Sequence, residues 1–144
     1  MRQAFERTLR NDLDELESAA RAVCAELRRS GVEPEIVHAV DLALEELVSN
    51  TIRHGCAEGS EHEIRISVLV EPHEVRVTLR DDALPFDPTR AGEPPRPTTL
   101  ADATLGGRGI AMVRRLIRDM RYRRAGNENA LELVLPRGPC GPPR

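Results

Sequence analysis

Apolar residues recur at three- and four-residue steps over Leu13, Leu16, Ala20, Val23 and Leu27, the spacing of one buried helical stripe, and Gly31 follows as a stop. Asn11 or Asp12 stands where such a helix takes its N-cap. A second stripe of Ile36, Val40, Ala43, Leu44, Leu47, Val48 and Thr51 begins after Pro34, a residue suited to a first helical turn, and runs to Gly55. The period then changes to two. Ile64, Ile66, Val68 and Val70 alternate with polar residues, as do Val75, Val77 and Leu79, and Glu71-Pro72-His73-Glu74 joins the runs. This predicts an antiparallel hairpin with one buried face. A thinner alternation, with Phe5 and Leu9 on one face, predicts a strand over Arg2 to Leu9.

From Asp82 to Leu105 there is no period, prolines are frequent, and the stretch exceeds the loops compact domains usually tolerate, so it reads as a lid or binding loop. Gly106-Gly107-Arg108-Gly109 then opens a third helix with apolar positions Ile110, Val113, Leu116, Ile117 and Met120. A last hairpin pairs Arg121–Ala125 with Leu131–Leu135 across Gly126-Asn127-Glu128-Asn129, and the Pro/Gly-rich stretch 137–144 reads as a frayed tail after a domain of residues 1–136. Strand, two helices, hairpin, long loop, helix and hairpin make an α+β two-layer sandwich, a mainly antiparallel mixed sheet covered on one face by three helices. The glycine cluster enters its helix from a loop rather than a strand, which argues against a dinucleotide fold.

Length and composition narrow the chemistry. A chain of 144 residues fits one domain with a real core. All 21 basic side chains are arginine, which excludes Schiff-base chemistry, a P-loop lysine and the strand lysine of eukaryotic-type kinases. Cys24, Cys56 and Cys140 have neither metal nor disulfide spacing and read as free thiols. No apolar run approaches the roughly 20 residues of a membrane span and the first residues lack an apolar signal core, so a cytoplasmic protein is expected. With a net charge of -3, no direct nucleic-acid partner is expected. The run Arg114, Arg115, Arg118, Arg121, Arg123 and Arg124 reads as a solvated helix and strand face, with an acidic partner as its alternative.

Three features carry candidate chemistry. Glu46 and Asn50 lie about 40° apart on one helix, at the border of its apolar arc, and offer a base and a hard oxygen ligand to one small volume. The diglycine bend presents backbone N–H groups and a helix dipole suited to phosphate, with Arg108 as a charged donor. Asp81 ends a strand, where a carboxylate can accept from an exocyclic amine such as that of adenine. His54, one turn after Asn50, projects toward the apolar arc and reads as a packed, hydrogen-bonded histidine.

In this order the three resemble the motifs of the histidine-kinase-like ATPase superfamily, the GHKL or Bergerat fold, and within it the bacterial anti-sigma-factor serine/threonine kinases. Leu44–Gly55 resembles the N box, Asp81–Pro88 the first glycine box and Gly106–Val113 the second, and the resemblance spans Phe5 to Pro136. It implies that Asn50 binds Mg²⁺, Glu46 takes the proton of a target serine, and Asp81 holds the adenine of ATP beside Ala83. It further implies that Gly107, Arg108, Gly109 and Ile110 line the phosphates under a lid from about Asp87 to Leu105. The implied partners are an anti-anti-sigma protein of the STAS type and a sigma factor, with a homodimer formed through the N-terminal strand and first helix. A non-catalytic partner-binding module, or a regulator of another output such as a phosphatase, is the alternative. Two departures bear on the choice. Ala83 stands where the first box has glycine, and a positive φ there would cost on the order of 1 kcal/mol. Asn129-Ala130 replaces the family's Gly-Thr pair, with Asn127 or Asn129 as its substitute.

Overall fold

The structure, a computed structural model, describes residues 2–90 and 114–138. Strand β1 (Gln3–Arg10) leads into helices α1 (Leu13–Arg29) and α2 (Pro34–Asn50). The hairpin β2 (Glu63–Val70) and β3 (Glu74–Asp81) and the hairpin β4 (Asp119–Ala125) and β5 (Glu128–Pro136) follow. Among the described residues the strands form a five-stranded sheet in the order β1-β2-β3-β5-β4. Every pairing among these strands is antiparallel, in line with the mainly antiparallel sheet expected, and none of them is the parallel pair that would make the sheet mixed.

The expected stripes of the first two helices and of the first hairpin find their partners. Asp12, rather than Asn11, caps α1, its carboxylate accepting from Asp14 N at 2.7 Å. Asn11 instead ties the β1–α1 junction to the approach to β2, donating to Ser60 O and accepting from His62 N, each at 2.9 Å. The buried faces of α1 and α2 meet one side of the sheet, where Leu16, Leu27, Leu44, Ile64, Ile66 and Leu133 are fully buried. Each such side chain contributes about 1.5–3 kcal/mol by leaving water. In β2 and β3 the inward positions are those of the alternation, and at the last of them the apolar face gives way to Asp81.

Several boundaries differ from the sequence reading; Glu128 and Asn129, expected in the last turn, open β5. The α-helix stops at Asn50, and Thr51–Gly55 forms a single π turn, whose wider step breaks the 100° progression on which the position of His54 was inferred. Residues 114–116 are helical, but Met120 lies in β4 opposite Leu133 instead of on the third helix. Its apolar side chain serves a strand face as readily as a helix stripe. Arg137, expected in the frayed tail, is anchored: its guanidinium donates to Glu33 and to Gly31 O, each at 3.0 Å, and to Glu71 O at 3.1 Å. The chain end of β5 is thereby tied to the loop between α1 and α2. Positions 91–113, including Ile110 and Val113 of the expected third helix, lie outside the described residues, as does Cys140.

Candidate nucleotide site

Strand pairing assembles the floor of a cleft. Asp81 of β3 stands opposite Asn129 of β5, which in turn stands opposite Arg124 of β4, so three polar residues share one row at the end of an apolar face. The row behind it is apolar and aromatic, with Leu79, Leu131 and Tyr122 in register. Asp81 is 8% exposed and Asn129 6%. Burial at that level requires partners. Asp81 Oδ1 accepts from Ala83 N at 3.0 Å and from Asn129 Nδ2 at 2.8 Å. The Asn129 Oδ1 accepts from Arg124 Nη1 at 3.1 Å and from the Tyr122 hydroxyl.

The end of α2 forms the facing wall. Asn50, Thr51 and His54 line a cleft of about 360 Å³ whose floor is Asp81 and Asn129 and whose sides include Leu47, Leu79, Leu131 and the loop residues Leu84 to Phe86. His54 is exposed at this wall rather than packed in the core, because the π turn carries it out of the helical stripe. Apolar sides about a buried acceptor suit a flat heteroaromatic ring that brings one N–H donor to the floor. Asn50 and Asp81, thirty-one positions apart, meet in this space.

Ala83 takes a place of its own. No described non-glycine residue has a positive φ, so the anticipated strain at Ala83 is absent. The residue is 2% exposed, and its methyl group faces Gly55 instead of lining the cleft. Leu84 N donates to Gly55 O at 3.0 Å, docking the loop on the π turn. A Cβ added at Gly55 would stand 3.0 Å from the Ala83 Cβ, closer than such atoms tolerate without movement. Gly55→Ala is therefore expected to cost about 1–3 kcal/mol in urea or thermal unfolding. Ala83→Gly on the same chain should return most of that loss; additive losses in the double variant would show that the two residues do not meet.

Glu46, one turn before Asn50 on α2, is half-buried and lies beside the cleft rather than in its lining. Burial pushes its carboxyl pKa up from the ordinary 4.5, and the Arg53 guanidinium pulls the other way. A raised pKa makes the carboxylate a stronger base. Cys24, a buried residue of α1 facing Asp41 of α2, is held as a neutral thiol, its pKa raised to about 11 by burial first and by Asp41 next. Cys24 and Cys56 are both free. Gly107, Arg108, Gly109 and Ile110, and the lid beyond Arg90, lie outside the described residues. The inward turn of Tyr122 and Arg124 escaped the sequence reading, which counted Arg124 in a solvated basic face; the signal available was its two-residue spacing from Tyr122 and Met120 in β4.

Similarity to known proteins gives the family and the fold. The family model for the histidine kinase-like ATPase domain matches residues 9–135. Over 93 residues, 65% of this chain and 66% of its relative, the sequence is 29% identical to a serine/threonine-protein kinase, BtrW, of Bordetella bronchiseptica. Over 81 residues, 56% of each chain, it is 30% identical to the anti-sigma F factor of Bacillus subtilis. These matches span less than two thirds of either curated relative. The crystal structure of the RsbU and RsbW domains of Rv1364c from Mycobacterium tuberculosis superposes with a TM-score of 0.57 over 94% of this chain and 32% of that one, at 22% identity. That likeness is one of fold. The motifs, the α+β architecture and the extent of the family match lead to one conclusion: this chain belongs to the histidine kinase-like ATPase domain family.

Proposed function

We propose that the cleft binds Mg-ATP and that the chain is a protein-serine kinase that phosphorylates an anti-anti-sigma protein of the STAS type and sequesters a sigma factor. The observation that carries the reading is the meeting of Asn50, from the end of α2, with the buried Asp81 in one apolar-walled cleft. The fit of each group to its residues is specific. Among the described residues nothing donates to Asp81 Oδ2, so that oxygen is available to the exocyclic amine of adenine. The Asn50 carboxamide oxygen is a hard ligand suited to Mg²⁺, which takes only one or two protein oxygens beside nucleotide phosphates. Among the described residues no group of three or more His, Cys, Asp or Glu side chains forms a cage for an ion, so the phosphates would complete the coordination. Bound Mg²⁺ would supply neutralisation of phosphate charge.

The chain's own residues then divide the work. Asp81 orients the base, and Gly107, Gly109 and Arg108, with Ile110 following, hold the phosphates under the lid from about Asp87 to Leu105. Glu46 accepts the proton of the serine hydroxyl as the serine oxygen bonds to the γ-phosphorus. The bond from that phosphorus to the bridging oxygen breaks, and ADP leaves. Such a reaction depends mostly on positioning and electrostatics, with the base orienting the hydroxyl. The relatives' names, a serine/threonine-protein kinase and an anti-sigma F factor, support both halves of the reading. A homodimer through β1 and α1 belongs to the same proposal. Among the described residues no helix is long and apolar enough to cross a membrane.

The test is a reaction. Incubated with Mg-ATP and a STAS-domain protein, the chain should yield ADP and a phosphoserine on that protein, read by mass spectrometry. Intact ATP, or ADP without phosphoserine, would contradict the kinase assignment.

A further inference from the structure

We infer that Tyr122 and Arg124, acting through Asn129, are positioning residues that fix which Asp81 oxygen meets the base and so set the preference for a 6-amino purine. The inference rests on the reading of the cleft as an ATP site. A guanidinium only donates and an ionised carboxylate only accepts, so the Asn129 carboxamide between Arg124 and Asp81 has one allowed orientation. Its Oδ1 turns to Arg124 Nη1 at 3.1 Å and to the Tyr122 hydroxyl. Its Nδ2 turns to Asp81 Oδ1 at 2.8 Å, with Ala83 O and Leu84 O at 3.2 and 3.1 Å.

The consequence is that Asn129 has no polar atom to spare for a ligand. It completes the site by holding Asp81, not by touching the base. Oδ1 of Asp81 already accepts from Asn129 and from Ala83 N. A ligand donor therefore falls to Oδ2, which accepts from an amine and repels a ring carbonyl. Arg124 also donates to Ala83 O at 2.7 Å, so the same cation pins the loop that follows Asp81. The cross-strand row from Arg124 through Asn129 to Asp81 makes this a relay built into the sheet register. Remove the two donors and Asn129 Oδ1 is left buried without a partner, so the amide loses the half of its anchorage that holds it, and Asp81 with it, in place.

The measurement is a titration of the full chain, its Tyr122→Phe variant and its Tyr122→Phe/Arg124→Met variant with ATP and with purine riboside 5′-triphosphate, which lacks the 6-amino group. The wild type should prefer ATP. In the double variant ATP affinity should fall about tenfold while purine riboside triphosphate stays within about twofold, and Tyr122→Phe should lie between. Tyr122→Phe keeps the ring that packs against the core, so a folded test remains if the double variant misfolds. Equal losses for both ligands, or an unchanged preference, would overturn the relay alone. A wild type that binds both ligands equally would overturn the assignment of Asp81 as amine acceptor, and the relay with it.

Discussion

Glu46→Gln is expected to lower phosphate transfer to the partner serine by about two to four orders of magnitude while Mg-ATP affinity stays within about twofold. The glutamine keeps the side chain's shape and loses only the ability to take a proton. Because Glu46 lies beside the cleft and Asn50 and Asp81 within it, removing the base should spare nucleotide binding. The pH profile has a defined sign. The active form is the carboxylate, and burial raises its pKa above 4.5, so the rate should fall as pH drops through a value above that figure. Arg53→Ala removes the charge that opposes this shift and should move the acid limb further up. Stability runs the other way: a carboxyl with a raised folded pKa stabilises below the unfolded pKa, and that contribution is lost as pH rises through the folded one. At neutral pH Glu46→Gln should therefore leave stability unchanged or slightly increased, with the difference vanishing well below pH 4.5. Denaturant melts at both pH values, beside single-turnover kinetics, check the two halves; a large loss of ATP affinity would show that Glu46 binds rather than abstracts.

Asp81→Ala should reduce ATP affinity on the order of a hundredfold and cost about 1–3 kcal/mol of stability. Two effects combine. The base loses its acceptor, and Ala83 N, buried beside it, loses the carboxylate oxygen at 3.0 Å. The Asn129 amide keeps Ala83 O and Leu84 O, which limits the structural loss. Calorimetry at a temperature well below the melting transition separates the effects. An affinity loss no larger than the stability change accounts for would remove Asp81 from the ligand's contacts.

Much of this arrangement was legible in residue order because it follows from period and local chemistry. The stripes of α1 and α2, the alternation of β2 and β3, and the step from Leu79 to Asp81 on one strand face are all two-residue or four-residue regularities. The meeting of Asn50 with Asp81 was reached through the family's motif order, since spacing alone does not bring a helix end to a strand end. What escaped lies where tertiary context decides. The π turn after Asn50 has no sequence period of its own, and it carried His54 from the expected core position to the cleft wall. Met120 satisfied a helix stripe and a strand face equally, and the pairing with β5 chose the strand. Arg124 looked like one of several solvated arginines until the register put it opposite Asn129. Ala83 looked like a defect in a glycine box, whereas its methyl group packs on Gly55 at an ordinary backbone angle.

The central claim is that the space between the end of α2 and the Asp81–Asn129 row takes Mg-ATP. Isothermal titration of the purified chain with ATP, with and without Mg²⁺, tests it most directly. Saturable binding that weakens when Mg²⁺ is removed, and in Asn50→Ala loses that dependence on Mg²⁺, is the predicted result. No heat and no thermal stabilisation at millimolar Mg-ATP, where any ligand of the native state must raise stability by mass action, would contradict it.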